Sequence, residues 1–115
     1  MNIQEIKTIY TAGLEAIVET GADEVEKYNR KNDVSLFIER GNYWVELTGP
    51  VTSYEPNGIV RKNVVDITLT RWLNDDDSEV GVEYFDNPKD AIRFLRKAIR
   101  NPKRTMKKIK TWFEE

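Results

Sequence analysis

The chain contains no cysteine and no histidine. Without cysteine there are no disulfides, thiolate nucleophiles or cysteine-bound zinc, and without histidine there is no imidazole base and no common metal ligand. No basic start followed by an apolar stretch opens the chain, so we expect no secretory signal. Its apolar runs are also far shorter than the roughly 20 residues that a transmembrane helix needs. We therefore expect a cytoplasmic protein that does not enter a membrane.

The usual catalytic motifs are missing as well. The sequence has no G-x-S-x-G nucleophile elbow, no Walker loop and no Rossmann glycine pattern. Only carboxylates, lysines, tyrosines and serines remain as catalytic groups. A paired-carboxylate hydrolase needs a deep cleft, which a domain of this size rarely builds. We predict a protein that is not an enzyme and that binds no cofactor.

The composition is typical of one soluble globular domain. The chain has 115 residues, of which 39% are hydrophobic and 33% are charged. We interpret residues 1–115 as a single α+β domain. Residues 1–32 are predicted to be helical, residues 34–85 to form an antiparallel sheet of about four strands, and residues 88–113 to form two basic amphipathic helices.

The first segment has the spacing of an amphipathic helix. Asn2 and Glu5 have the positions of a capping box at its start. Gly13 weakens a helix, so we expect a packing reason for it. Gly21 is placed to end the helix. A second short helical piece is then expected as far as about residue 32, although one uninterrupted helix is the alternative.

From residue 34 onward the apolar pattern changes to a period of two, as expected for strands. Gly49-Pro50 interrupts the second strand and indicates a bulge or an edge position. The strongest turn signal is Pro56-Asn57-Gly58, which predicts a positive φ at Gly58. Beyond it, Val65, Ile67 and Leu69 are predicted to point inward. A last strand, in which Val80, Val82 and Tyr84 alternate with Glu79, Gly81 and Glu83, closes the meander.

Two helices with the same start signal follow the sheet. Asn87-Pro88 and Asn101-Pro102 each place asparagine at the N-cap and proline at the first helical position. In both segments apolar residues share one side, and lysines and arginines share the other. The second segment ends with Trp112 and Phe113, which would suit a membrane surface or a peptide groove. Its narrow apolar stripe favours packing on the domain instead.

Charge is distributed unevenly along the chain. Residues 1–87 carry a net charge of −9, whereas residues 88–115 carry +7, within a total of −2. Such asymmetry indicates a charged partner. Nucleic acid is the alternative partner that we consider, bound by basic residues of the last helix: Lys103, Arg104, Lys107, Lys108 and Lys110. The acidic remainder of the chain and the absence of a recognition motif argue against it.

The acidic loop between the last two strands resembles part of a calcium loop. Asp75, Asp77 and Glu79 have the spacing of its first three ligands. An EF-hand also requires glycine at its sixth position and glutamate at its twelfth, where this chain has Val80 and Asp86. We therefore predict a solvated hairpin tip and no metal site.

Binding to another protein is the function that we favour. Trp44 and Trp72 alternate with the predicted inward set and stand beside acidic residues, which is a composition typical of an interface anchor. In the alternative arrangement, the first helix covers one sheet face and the basic helices cover the other, and both tryptophans are core residues. The predicted partner-binding residues are Trp44, Asp66, Trp72, Asp75, Asp76, Asp77, Glu79 and Glu83.

In size and composition the chain is similar to small phage- and plasmid-encoded inhibitors and toxin-immunity proteins. This resemblance carries no motif and covers no residue in particular. Its abundant lysine, isoleucine and asparagine are typical of an AT-rich bacterial or phage genome. We therefore favour an inhibitor or immunity factor whose acidic sheet and loop occupy a basic, nucleic-acid-binding surface of a target protein, because carboxylates can stand in for phosphates.

Overall fold

The computed structural model describes the backbone of residues 1–113 and the side chains of residues 1–109. The chain forms one helix, a five-stranded antiparallel sheet and two further helices, which confirms the predicted α+β class. The helices are α1 (Ile3–Thr20), α2 (Pro88–Arg100) and α3 (Pro102–Phe113). The strands are β1 (Glu24–Asn29), β2 (Val34–Arg40), β3 (Tyr43–Tyr54), β4 (Val60–Asn74) and β5 (Asp77–Phe85).

The predicted helix boundaries are confirmed by their capping contacts. The side-chain oxygen of Asn2 accepts a hydrogen bond from the Glu5 N–H at 2.9 Å, and the Glu5 carboxylate accepts one from the Asn2 N–H at 3.0 Å. Gly21 has a φ of 78° and ends α1. Asn87 and Asn101 each accept a hydrogen bond from the N–H three residues later, at 3.2 and 3.1 Å. These contacts satisfy donors that the first turn leaves unpaired.

The predicted second helical piece before residue 32 is wrong, because that segment forms strand β1. The Asp23 N–H donates to the Glu39 carbonyl at 2.8 Å, and the Asp23 carboxylate accepts from the Gly41 N–H at 2.7 Å. These bonds hold the start of β1 against the edge of β2. The sheet therefore has five strands, in the order β1-β2-β3-β4-β5. All six residues of β1 are exposed, so backbone pairing rather than side-chain burial selects the strand.

The predicted irregularities of the meander are also present. The register of β3 against β4 shifts after Thr48, beside the cis Gly49–Pro50 peptide, and β3 then continues to Tyr54. Gly58 has a φ of 88°, as its turn requires. The Gly58 N–H donates to the Glu55 carbonyl at 3.0 Å, and the Glu55 N–H donates to the Ile59 carbonyl at 2.8 Å.

All three helices pack on the same side of the sheet, which we call the helix-facing side. A Cβ on Gly13 of α1 would lie 2.7 Å from the Leu36 side chain of β2, which is the packing reason expected for this glycine. A Cβ on Gly81 of β5 would collide with the Ile109 side chain of α3. Phe85 and Phe94 join β5 to α2, with ring centroids 5.2 Å apart. The alternative with helices on both sheet faces is therefore wrong.

The core lies between this side of the sheet and the helices. Its sheet residues alternate along the three central strands and are almost fully buried. They are Val34, Leu36, Ile38, Val45, Leu47, Val65, Ile67 and Leu69. In the described part of the chain no helix covers the other side of the sheet, which we call the open face.

Candidate protein-binding face

Strand register identifies the residues of the open face. Paired residues of antiparallel strands point to the same side of a sheet, and successive residues point to opposite sides. Trp44 pairs with Thr70, and Glu46 pairs with Phe37 on one side and with Thr68 on the other. In the stretches of regular register, which exclude the pairs of β3 and β4 beyond the shift after Thr48, the open-face residues are Glu24, Glu26, Tyr28, Ser35, Phe37, Glu39, Trp44, Glu46, Thr48, Asp66, Thr68, Thr70, Trp72, Ser78, Val80, Val82 and Tyr84.

An aromatic row crosses the open face diagonally from β2 to β4. The ring centroids of Phe37 and Trp44 lie 5.3 Å apart, and those of Trp44 and Trp72 lie 4.8 Å apart. Both contacts are edge-to-face, the geometry that aromatic quadrupoles favour. Each of the three side chains is half-buried, because the rings cover one another. The row therefore presents rigid apolar surface to solvent.

One polar atom of this row lacks a partner. The indole N–H of Trp72 is buried and has no hydrogen-bond acceptor among the described residues. An unpaired buried donor costs stability because it has lost its bonds to water. The aromatic row is thus not arranged for maximum stability of the isolated chain.

Two carboxylates lie beside the aromatic row. Glu46 and Asp66 occupy diagonal positions on β3 and β4, and the Thr68 hydroxyl donates to Asp66 at 2.6 Å. Partial burial, and secondarily the charge of Asp66, raises the pKa of the Glu46 carboxyl above its ordinary value of 4.5. A cation placed beside Glu46 would therefore stabilise its ionised form.

On the regularly paired strands, the basic side chains all lie on the helix-facing side. Lys27, Arg40 and Arg71 all take helix-facing positions. The open face has no lysine or arginine at any of the paired positions named above, but it has five carboxylates. These are Glu24, Glu26, Glu39, Glu46 and Asp66. A face with one sign of charge attracts a surface of the opposite sign and accelerates association with it.

The predicted acidic loop lies at one end of the open face. Asp75 and Asp76 form the β4–β5 turn, and Asp77 begins β5. The side-chain oxygen of Asn74 accepts from the Asp76 N–H at 2.9 Å and orders the turn. A groove of about 450 Å³ lies between this turn and the β2–β3 turn. Asp75, Trp44 and Trp72 line the groove together.

The structure does not bring two of the predicted binding residues to this face. Glu79 and Glu83 pair with Arg71 and Ile67, which places both on the helix-facing side. Glu79 lies 3.7 Å from Arg71 in an ion pair. Burial raises the pKa of the Glu83 carboxyl, and nearby Arg61 opposes that rise. On β5 it is Val80, Val82 and Tyr84 that face outward.

Sequence reasoning missed two residues of the candidate site, Phe37 and Glu46. Both alternate with the inward-pointing residues of their own strands, which is the signal that also identified Trp44. The structure thus assembles Phe37, Trp44, Glu46, Asp66 and Trp72, with Asp75 at the end of the row.

The basic residues lie on the other side of the sheet, in the helical layer. Part of their charge is balanced internally, because Arg96 lies 3.8 Å from Glu15 and Arg100 lies 2.6 Å from Glu19. These pairs join α2 to α1. The predicted nucleic-acid set is divided between two surfaces of α3: Arg104 and Lys108 line a groove against α2, whereas Lys103 and Lys107 do not. The side chains of Lys110, Trp112 and Phe113 lie outside the described residues.

Other kinds of site are not found in the described chain. Within residues 1–109, no group of three or more carboxylates is placed to hold a metal ion. No described helix is long and apolar enough to cross a membrane. No protein-family model, curated protein or solved structure matches the chain significantly.

Proposed function

We propose that this chain is a non-enzymatic protein-binding domain whose open face binds a basic surface of another protein. The observation that carries the proposal is the combination of an uncovered aromatic row with five carboxylates and no lysine or arginine at the regularly paired positions of that face. Aromatic side chains are the commonest anchors of protein interfaces. Uncompensated carboxylates supply orientation and a fast association rate.

The class of partner follows from the chemistry of the face. The carboxylates of Glu46, Asp66 and Asp75 can take the place of phosphates on a surface that normally binds nucleic acid. Occupying such a surface would inhibit the target. We therefore propose an inhibitor or immunity-type protein of bacterial or phage origin that acts in the cytoplasm.

Affinity capture from a bacterial lysate tests this proposal. The baits are the wild-type chain, the open-face variant Glu46→Gln/Asp66→Asn, and the control Glu15→Gln/Glu19→Gln. Each double variant removes two negative charges, but the control removes them from α1 on the other side of the sheet. We expect the wild type and the control to recover the same basic protein, and the open-face variant to lose it. Equal recovery by all three baits would contradict the proposal.

A second set of variants tests the aromatic row and the acidic turn with the recovered partner. Trp44→Ala removes the central ring of the row and should weaken binding by at least about 2 kcal/mol, the size typical of an interface anchor. Tyr54→Ala is the control, because Tyr54 is an exposed aromatic residue at the opposite end of β3. Asp75→Ala/Asp76→Ala/Asp77→Ala should weaken binding less. Calorimetric titration measures the affinity of all three variants for the partner. Equal affinities of the Trp44 and Tyr54 variants would show that the aromatic row is not part of the binding site.

A further inference from the structure

The helical layer contains a second candidate site, which is independent of the open face. A groove of about 450 Å³ lies between the C-terminal half of α2 and the first two turns of α3. Its lining residues are Phe94, Lys97, Arg100, Asn101, Arg104, Thr105 and Lys108. Four of the seven are cationic, and none is acidic.

Most of this positive charge has no ion-pair partner among the described side chains. Arg100 pairs with Glu19 at 2.6 Å, but Lys97, Arg104 and Lys108 form none of the ion pairs among the described side chains. All three are exposed. Three unbalanced cations in one concave surface attract an anion more strongly than the same charges spread over a convex one.

The walls and the floor of the groove favour phosphate chemistry. α3 begins at the groove, where the positive end of its dipole favours an anion. The Arg104 guanidinium matches the geometry of a phosphate oxygen pair. On the floor, half-buried Phe94 is held against Phe85 at 5.2 Å and offers an apolar surface for a base. A cationic groove with an aromatic floor is the arrangement that binds single-stranded nucleic acid.

The position of the acidic residues removes the main objection to an anionic ligand. The open-face carboxylates lie across the sheet and the core from this groove. A helical layer is about 10 Å thick, and the screening length at physiological ionic strength is about 8 Å. Repulsion from the open face is therefore largely screened at the groove. The nearest acids of α1, Glu15 and Glu19, are already paired with α2.

We propose that the α2–α3 groove binds the phosphodiester backbone of a single-stranded nucleic acid through Lys97, Arg104 and Lys108. Phe94 favours a single strand over a duplex, because only unpaired bases can stack on a side chain. With three phosphates neutralised, the logarithm of the binding constant should fall with the logarithm of salt concentration with a slope of about −2. This slope corresponds to an affinity loss of roughly 20-fold between 50 and 200 mM salt.

Fluorescence anisotropy with labelled 20-nucleotide oligothymidine and oligouridine tests the proposal. The groove variant is Arg104→Ala/Lys108→Ala. The matched control is Arg93→Ala/Lys103→Ala, which also removes one arginine and one lysine from exposed positions on α2 and α3 that do not line the groove. We expect the groove variant to reduce the salt slope to about −0.7 and to weaken binding about tenfold at 50 mM salt, with the control within about threefold of wild type.

Each other outcome would overturn the assignment. No binding of either oligonucleotide at 50 mM salt would exclude the site. Equal losses in the groove and control variants would mean that only overall charge matters. If polyglutamate of equal charge competes as effectively as unlabelled oligothymidine, the groove binds acidic peptides instead. The two oligonucleotides together show whether the strand is DNA, RNA or either. Circular dichroism of both variants confirms that they fold.

Discussion

The two faces of the sheet are built from the same strands yet differ in almost every physical property. On the helix-facing side the central-strand side chains are buried at 0–1% exposure beneath three helices. On the open face the aromatic-row side chains are half-buried, one indole N–H has no acceptor among the described residues, and the regularly paired positions hold carboxylates but no lysine or arginine. The comparison indicates that one face stabilises the fold, while the other has the features for which we propose contact with a partner.

Adjacent residues of β2 allow the sharpest version of this comparison. Leu36 is 1% exposed on the helix-facing side, whereas Phe37 lies half-buried on the open face. Leu36→Ala should lower the free energy of unfolding by about 3 kcal/mol, because it leaves a cavity in the core. Phe37→Ala removes a larger side chain but should cost only about 1 to 2 kcal/mol. Urea denaturation measures both, and equal losses would mean that the two faces contribute alike.

Adjacent residues of β5 make a second pair. A Cβ on Gly81 would collide with Cγ2 of Ile109, a branched side chain that cannot turn away, so Gly81→Ala should cost about 2 kcal/mol by displacing α3. Val80 is 56% exposed on the open face, and Val80→Ala should change stability by less than about 0.5 kcal/mol. Thermal unfolding compares them. A harmless alanine at Gly81 would show that α3 does not pack against β5 as described.

The β3–β4 turn belongs to neither face and tests the backbone alone. Gly58 has a φ of 88°, and a Cβ placed on it would have no atom within 4 Å, so a side chain there causes strain without a clash. Gly58→Val should destabilise the chain by roughly 1 kcal/mol, because β-branched residues disfavour positive φ. Gly58→Asn, which tolerates that region, should cost less. A lower melting temperature for Gly58→Asn than for Gly58→Val would contradict this turn geometry.

The smallest effect is expected at Glu46, and its sign is opposite to the others. Because the pKa of Glu46 is raised in the folded state, the folded chain binds more protons than the unfolded chain just above pH 4.5. The free energy of unfolding therefore decreases as pH rises through that window, and the penalty is complete above the folded pKa. Glu46→Gln should stabilise the chain at pH 7 by less than about 0.5 kcal/mol, since exposure screens the charge. Denaturation at pH 7 and at pH 4 should show this gain disappear in acid.

Much of the fold could be predicted from local sequence signals. The caps at Asn2, Asn87 and Asn101, the stop at Gly21 and the turn at Gly58 each depend on a few neighbouring residues, and all are present. Strand β1 could not be predicted, because all its residues are exposed and its structure depends on backbone bonds to β2.

The candidate site was predictable only in part. Alternation correctly placed Trp44, Asp66 and Trp72 on one face, but both faces of β5 carry apolar residues, so its orientation depends on Gly81 receiving Ile109. That contact joins segments far apart in the chain and leaves no local signal. The packing of all three helices on one side, which leaves the tryptophans uncovered, also depends on contacts between distant segments and leaves no local signal in the sequence.

Negative charge with no lysine or arginine at the regularly paired positions is the property of the open face on which the proposed function depends. A nuclear magnetic resonance titration of the glutamate side-chain carboxyl carbons measures this directly at Glu46, with Glu46→Gln used to assign its signal. We predict a midpoint above the ordinary value of 4.5, because partial burial and the charge of Asp66 both favour the protonated form. A midpoint at or below 4.5 would show that a cation or solvent neutralises this face, and would contradict the prediction.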